Sequence, residues 1–249
     1  MRNIRVFDAT GNNFVITQND KVADYTNEAK LLCKKYKTDG LIVVTKPTFE
    51  QISKYKIDFV WQFYNNNGTT ASMCGNGTRA VAMYYFKYIK PKLKISFLTD
   101  AGVIKTIIDK NMVQTTMTKH TELKKPFQYK TKTWWMVDTG VPHLVTIVDD
   151  IKVFDIKLAI NMREKFDANV NFVEILSSNK LSVRTFERGV EGETLSCGTG
   201  MVASFLYALK QNLVSNEIKV LPKSGLHIFV YKKDKKIYLK GEVSEQQIS

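Results

Sequence analysis

Cys74-Gly75-Asn76-Gly77 and Cys197-Gly198-Thr199-Gly200 are two copies of one short motif, which lie about half the chain apart. Each copy follows an extended segment and leads into a largely apolar run, 78–85 after the first and 201–208 after the second, that predicts a helix. Strand-like segments lie on both sides of each copy. The repeat predicts two related domains with a cleft between them.

The motif places a cysteine at the start of each predicted helix. There the helix dipole and the unpaired first-turn amides favour a thiolate, and glycines leave those amides open to a carboxylate. Two such thiols beside one carboxylate-bearing carbon would supply a base on one face and an acid on the other, as a racemase or epimerase requires. We therefore predict that Cys74 and Cys197 are catalytic, whereas Cys33, in an apolar helical run, is predicted to be a packed small hydrophobe.

The composition predicts a globular protein. The chain has 249 residues, of which 44% are hydrophobic and 24% charged, and it has no uninterrupted apolar stretch of about 20 residues. Three cysteines without a CxxC pair or a zinc-like Cys/His spacing indicate a reducing compartment and no structural metal. We expect a cytoplasmic protein.

The net charge of +13 raises the question of a polyanionic partner. The lysines occur as scattered pairs, such as Lys34-Lys35 and Lys232-Lys233, with no basic helix face and no aromatic-interleaved stripe. We interpret them as a solvated surface rather than a nucleic-acid site, because a charge run is usually only solvated.

The order of elements divides the chain near its middle. Helices are predicted over 25–36 and about 154–165, and strands at 4–7, 14–17, 40–45, 58–64, 94–98, 103–108, 112–117, 134–137, 144–148, 170–176, 181–186, 217–221, 226–231 and 236–239. Residues 120–133 have little periodicity and several lysines, and we interpret them as the connection between halves. The predicted domains are 1–119, with Cys74, and 120–249, with Cys197; packing of the last few residues on the first domain is left open.

Longer segments around both motifs resemble a known family. Residues 58–68 (DFVWQFYNNNG) lead to 73–79 (MCGNGTR), and 183–189 (VRTFERG) lead to 193–200 (ETLSCGTG). Together with 11–14 (GNNF), 139–143 (TGVPH) and 168–172 (ANVNF), they are similar to the signature segments of the diaminopimelate epimerase family over nearly the whole chain.

The resemblance implies a cofactor-independent epimerase that interconverts LL- and meso-2,6-diaminopimelate in lysine and peptidoglycan-precursor synthesis. It implies an α+β fold of two pseudo-symmetric domains, each with a mixed sheet or barrel wrapped around a central helix, and an active site in the cleft between them. The expected partner is a small amino-acid dicarboxylate, with no cofactor, metal, nucleic acid or membrane. Oligomeric state is left open, with a homodimer as one expectation.

The resemblance also implies roles for individual residues. His143 and Glu187 would help to ionise the thiols, and the planar fork of Arg188 would receive the distal carboxylate of the substrate. Further substrate contacts would come from Asn12, Asn65, Asn169 and Glu187. Independently of the resemblance, the amides at two helix N-termini can stabilise the reacting carboxylate, and Gly75, Asn76, Gly198 and Thr199 would supply them. The alternatives are a packed loop histidine, a surface glutamate and turn-forming asparagines, and the last is strongest for Asn65.

The chain departs from the family pattern at a few positions. Asn13 and Asn67 occupy positions where the family usually has Asp, and Val141 one where it has Asn. The glycine-rich segment before Asp39-Gly40 is shortened, and one additional residue separates Glu187 from Cys197. The departure at Val141 removes a polar contact near the far end of the substrate.

Two rival functions remain at this point. One is a different cofactor-independent amino-acid racemase or isomerase on the same fold, like proline racemase or the phenazine-pathway isomerases. The other is a basic binding protein that has lost catalysis, against which the retention of both cysteines argues.

Overall fold

The computed structural model describes residues 4–248, so residues 1–3 and 249 of the predicted domains lie outside the described residues. The chain divides into two compact units. The N-terminal unit comprises Met1–Thr116 with Lys240–Ser249, and the C-terminal unit comprises Met117–Leu239. The sequence-based division lies between residues 119 and 120, and it assigns the final segment to the second domain.

The N-terminal unit opens with a hairpin and alternates strands with helices. Its elements are β1 (Arg5–Asp8), β2 (Asn13–Asn19), α1 (Thr26–Tyr36), β3 (Gly40–Thr45), α2 (Phe49–Tyr55), β4 (Phe59–Asn65), α3 (Gly75–Tyr88), β5 (Lys94–Thr99), β6 (Gly102–Asp109) and β7 (Met112–Thr116).

The C-terminal unit has a similar composition of elements. They are β8 (Thr121–Tyr129), β9 (Lys132–Asp138), β10 (Pro142–Ile147), α4 (Ile156–Phe166), β11 (Asn169–Ser177), β12 (Lys180–Glu187), β13 (Gly192–Thr194), α5 (Gly198–Lys210), β14 (Glu217–Leu221) and β15 (Ile228–Lys233). Then β16 (Lys236–Glu242) begins in this unit and returns the chain to the N-terminal unit, where β17 (Ser244–Gln246) pairs antiparallel with β1.

Both units repeat one order of strand pairings. In the N-terminal unit, β2 pairs parallel with β3 across α1, β3 antiparallel with β4, and β4 parallel with β5 across α3. In the C-terminal unit, β10 pairs parallel with β11 across α4, β11 antiparallel with β12, and β12 parallel with β14 across α5. The expectation of two pseudo-symmetric α+β halves is therefore confirmed.

One helix forms the centre of each unit. Residues 75–85 of α3 and 198–208 of α5 are all buried, and each helix packs against several strands of its own unit. A helix that is apolar on all sides is stable only when it is covered on all sides. The two helices that follow the cysteine motifs are thus the ones around which the strands wrap.

The helices α1 and α4 each pack against strands of their own unit. On α1 the buried residues Ala29, Leu32 and Cys33 are spaced along one face, and Cys33 is 2% exposed, so its prediction as a packed hydrophobe is confirmed. On α4 the corresponding positions are Leu158, Ala159 and Met162. Both helices end in a left-handed residue, Lys37 and Asp167, and the next strand begins within three residues of it.

One local prediction was wrong, and one helix was missed. Residues 121–129, interpreted as a connection, form β8, which pairs antiparallel with β9. Most of β8 is exposed, so its sequence lacks the alternation by which a half-buried strand is recognised. The helix α2 was missed because it has no buried residue, although Thr48 and Gln51 form a capping box that marks its start. Among the helices of residues 4–248, none is long and apolar enough to cross a membrane.

Candidate active site

Cys74 is the N-cap of α3, which confirms its predicted place at the start of a helix. Its backbone is extended, with φ −138° and ψ 106°, and its carbonyl accepts the first helical hydrogen bond from Thr78 at 2.9 Å. The sulfur lies 3.3 Å from the amide nitrogen of Gly77, which donates to it. The thiol of Cys74 therefore accepts a first-turn amide at the positive end of a helix dipole.

Asn76 and Asn12 are joined in one network beside this cysteine. The side-chain Nδ2 of Asn76 donates to Oδ1 of Asn12 at 3.3 Å, and Nδ2 of Asn12 donates to Oδ2 of Asp39 at 2.5 Å. The structure thus brings together two of the predicted substrate-contacting residues in the N-terminal unit. Asp39 directly precedes β3, and its amide donates to the carbonyl of Asn13 at 2.9 Å.

The buried side chain of Arg79 donates hydrogen bonds to this network. Nη2 of Arg79 donates to Oδ1 of Asn76 at 2.6 Å, and Nη1 donates to the hydroxyl of Thr10 at 2.8 Å. Its side chain is fully buried, and burial lowers the pKa of Arg79 to about 10, while the charges of Cys74 and Asp8 oppose that shift. Arg79 was not predicted as a site residue, although a charged residue within the apolar run of a helix is a local signal of such a role.

Asn65 lies at the end of β4 in a turn. Its Nδ2 donates to the hydroxyl of Thr69 at 2.9 Å, and Asn67 accepts from the amide and the hydroxyl of the same Thr69. Gly68 follows with φ +85°, a conformation that favours glycine. The turn-forming interpretation of Asn65 is supported by these contacts, which also fix its position relative to the strand end.

Cys197 is the N-cap of α5 with nearly the same backbone as Cys74, φ −122° and ψ 106°. Its sulfur is 3.5 Å from the hydroxyl oxygen of Thr199. An added Cβ at Gly77 would lie 3.3 Å from the sulfur of Cys74, and one at Gly200 would lie 3.3 Å from that of Cys197. The fourth residue of each motif therefore keeps the space beside its sulfur open, a role that the sequence analysis did not assign.

His143 is connected to Cys197 through one hydroxyl. Its Nε2 lies 2.9 Å from Oγ1 of Thr199, and its Nδ1 lies 3.0 Å from Nδ2 of Asn171. Burial lowers the pKa of His143 to about 3, and the charge of Arg188 acts in the same direction, so the imidazole is neutral near pH 7. His143 lies within strand β10, so the alternative interpretation of a packed loop histidine is wrong.

The remaining predicted residues meet where β11 begins and β12 ends. Asn169 accepts from the amide of Arg188 at 2.9 Å and donates to the carbonyl of Pro142 at 3.0 Å, so it joins two backbone segments. Nη1 of Arg188 donates to Oδ2 of Asp167 at 2.8 Å. Glu187 accepts from the hydroxyl of Thr194 at 2.5 Å. The structure therefore places Glu187 at the end of β12, directly before Arg188.

The chain is similar to diaminopimelate epimerases over nearly its whole length. A family model described as diaminopimelate epimerase matches residues 6–123 and 135–245. A diaminopimelate epimerase from Campylobacter jejuni is 44% identical over 238 residues, which are 94% of this chain and 93% of that protein. One from Nitratiruptor is 41% identical over 242 residues, covering 96% and 94% of the two chains.

Solved structures share the fold at much lower identity. A hydroxyproline epimerase from Agrobacterium vitis superposes with a TM-score of 0.74 at 12% identity, over 100% of this chain and 93% of that one. A protein of the phenazine biosynthesis PhzF family from Enterococcus faecalis superposes with a TM-score of 0.72 at 13% identity, over 99% of both chains.

Proposed function

The chain belongs to the diaminopimelate epimerase family, and from this membership we infer that it is an isomerase that interconverts LL- and meso-2,6-diaminopimelate. The solved structures of the rival classes share only the fold, at 11–14% identity, whereas epimerases named for diaminopimelate share 30–44% over 94% or more of the chain. A different amino-acid substrate is therefore not favoured.

The observation that supports the mechanism best is the shared geometry of the two cysteines. Epimerisation removes a proton from one face of the α-carbon and returns one to the other face, so it requires two proton carriers. Cys74 and Cys197 occupy the same N-cap position with nearly the same backbone angles, and each has a glycine beside its sulfur. One cysteine acts as thiolate and removes the proton, while the other acts as thiol and supplies one; in the reverse direction the roles exchange.

The negative charge that develops at the substrate carboxylate needs stabilisation by the protein. Amides in the first turn of a helix have no intrahelical acceptor and point along the positive end of the dipole. The first turn of α3 contributes Gly75 and Asn76, and that of α5 contributes Gly198 and Thr199. These residues would hold the reacting carboxylate in the orientation that exposes the α-hydrogen to a sulfur.

The distal end of the substrate requires a different set of residues. Arg188 presents a guanidinium that is anchored on Asp167 through Nη1, which fixes its direction for a carboxylate partner. Asn169 fixes the backbone of Arg188, and Asn12, Asn65 and Glu187 complete the proposed set of contacts. Val141 supplies no side-chain hydrogen bond at the position where the family usually has an asparagine.

The test is the entry of solvent deuterium into diaminopimelate. In deuterated water the product isomer should carry deuterium at the α-position at low conversion, because the thiol that returns the proton exchanges with solvent. Cys74→Ala and Cys197→Ala should each reduce turnover at least about a hundredfold, since positioned acid–base groups contribute about 10²–10⁴-fold. Cys33→Ala, which alters a core residue of α1, is the matched control and should retain turnover.

Turnover by either active-site variant above about a hundredth of wild type would contradict the two-cysteine assignment. Absence of deuterium from the product, with the wild type active, would contradict proton exchange with solvent-equilibrated thiols. A panel containing proline and hydroxyproline tests the rival activities. We further propose a cytoplasmic homodimer that serves lysine and peptidoglycan-precursor synthesis; light scattering on the purified protein tests the dimer.

A further inference from the structure

A buried chain of polar side chains leads from Asn171 to the sulfur of Cys197. Asn171 Nδ2 lies 3.0 Å from His143 Nδ1, and His143 Nε2 lies 2.9 Å from the hydroxyl of Thr199. That hydroxyl is 3.5 Å from the sulfur. All four residues are buried, so these groups depend on one another for hydrogen bonding.

The orientation of the Asn171 amide is determined by its other two contacts. Nδ2 lies 2.8 Å from the carbonyl oxygen of Leu144, and Oδ1 lies 2.9 Å from the hydroxyl of Thr185. A carbonyl can only accept, so the atom that faces Leu144 must be the NH₂ group. The second hydrogen of that group then points at Nδ1 of His143, which must accept it with a lone pair.

The neutral imidazole therefore carries its single proton on Nε2. From Nε2 it donates to the oxygen of Thr199, whose own hydrogen is then free to point at the sulfur of Cys197. We propose that Asn171 is a positioning residue that holds His143 as the Nε2–H tautomer, so that the His143–Thr199 pair donates a hydrogen bond to the Cys197 thiolate. This inference rests on the proposed function only in taking Cys197 to be a proton carrier.

The opposite tautomer would have a different consequence. With the proton on Nδ1, Nε2 would accept from Thr199, and the thiol could pass its proton through the hydroxyl to the imidazole. His143 would then be the base for Cys197. The contact between Asn171 and Leu144 disfavours that arrangement, so His143 stabilises the thiolate as a donor and does not take its proton.

The motif itself is fitted to Asn171. An added Cβ at Gly200 would overlap Oδ1 of Asn171 and would lie 3.2 Å from the hydroxyl of Thr185. Real Cβ atoms do not make such overlaps, and the amide is fully buried and cannot swing away. The glycine at the fourth position of the second motif therefore makes room for the residue that orients His143.

The direct test is nitrogen-15 NMR of histidine-labelled protein. The chain has three histidines, so the signal of His143 can be assigned by comparison with a His143→Gln sample. We expect wild type to show a protonated Nε2 and an unprotonated Nδ1. Asn171→Asp should move the proton to Nδ1, because a carboxylate can only accept. Thr185→Val, which keeps the contact with Leu144, is the matched control and should keep the wild-type tautomer.

A second readout is the rate of Cys197 alkylation by iodoacetamide at pH 7, followed by peptide mapping. Asn171→Asp should slow it at least about tenfold, through loss of the donated hydrogen bond and through the added charge. In a Thr199→Val background only the charge remains, so the same substitution should slow the reaction about threefold or less. This double-mutant cycle separates the two effects.

Three results would overturn the proposal. They are a wild-type His143 with the proton on Nδ1, an unchanged tautomer in Asn171→Asp, and an equal effect of that substitution with and without the Thr199 hydroxyl. If Asn171→Asp does not fold, the wild-type and Thr185→Val spectra still decide the tautomer. Failure of deuterium exchange would contradict the proposed function but leave the NMR result standing, so the two failures are distinguishable.

Discussion

Gly241→Ala tests how the buried guanidinium of Arg79 is accommodated. Gly241 lies in β16, and an added Cβ would overlap Nη1 of Arg79 and would lie 3.0 Å from Cζ and 3.1 Å from the hydroxyl oxygen of Thr10. The guanidinium cannot retreat, because it also donates to the carbonyls of Ala9 and Glu242, at 3.3 and 3.2 Å. The methyl group would therefore have to displace a charged, fully buried group.

The expected cost follows from three effects. Overpacking of a filled core costs about 1–3 kcal/mol. Weakening one hydrogen bond of a charged donor adds about 1.5–3 kcal/mol to this loss of stability. Replacing glycine by alanine within a strand stabilises the folded state by about 0.5–1 kcal/mol and so offsets part of the loss. We expect the free energy of unfolding to fall by about 1.5–5.5 kcal/mol, which at about 2–4 °C per kcal/mol corresponds to a decrease in Tm of about 3–22 °C for a chain of this size.

Thermal and urea unfolding, followed by circular dichroism, measure the effect. Gly192→Ala is the matched control: Gly192 lies in a strand, and an added Cβ there would meet nothing within 4 Å, so the change should stay within about 0.5 kcal/mol. Epimerisation by Gly241→Ala should also fall at temperatures where the protein is folded, because Arg79 orients Asn76 beside Cys74. Equal stability of the two variants would refute the steric argument.

Three further predictions concern the cysteines, the distal arginine and the buried histidine. Brief alkylation near pH 7 should label Cys74 or Cys197 before Cys33, because burial raises the pKa of the Cys33 thiol, and diaminopimelate should slow labelling of the two active-site thiols; preferential labelling of Cys33 would contradict this. Arg188→Lys should raise the KM for diaminopimelate at least about tenfold, because an ammonium group cannot form a two-point contact with a carboxylate, and an unchanged KM would make the arginine structural. Burial lowers the pKa of His143 from 6.5 to about 3, so below about pH 6.5 the unfolded state binds a proton that the folded state excludes. The free energy of unfolding therefore falls as the pH falls from about 6.5 towards 3. The loss should be about 2 kcal/mol between pH 7.5 and pH 5 in urea unfolding, and an equal pH dependence in His143→Gln would show that other groups cause it.

The sequence by itself determined the features that depend on a few neighbouring residues. Both cysteine motifs start a helix because the N-cap, the glycines and the following apolar run all lie within two or three turns. Strands at 40–45 and 217–221 were predicted with the bounds observed for β3 and β14, because their apolar runs end at turn residues. Cys33 was placed in the core for the same reason, since its helix has a regular apolar face.

Tertiary structure decided which distant groups meet. Arg79 contacts Glu242, 163 positions away, and Asn171 orients His143 across 28 positions. The local sequence identifies the partner of neither residue, because these contacts depend on strand pairings such as that of β10 with β11. The helix α2 and the strand β8 were missed because they bury little, and burial is what gives a segment its period. Hydrophobic periodicity records only that a residue is buried, whereas a hydrogen bond between side chains depends on the register that the folded sheet imposes.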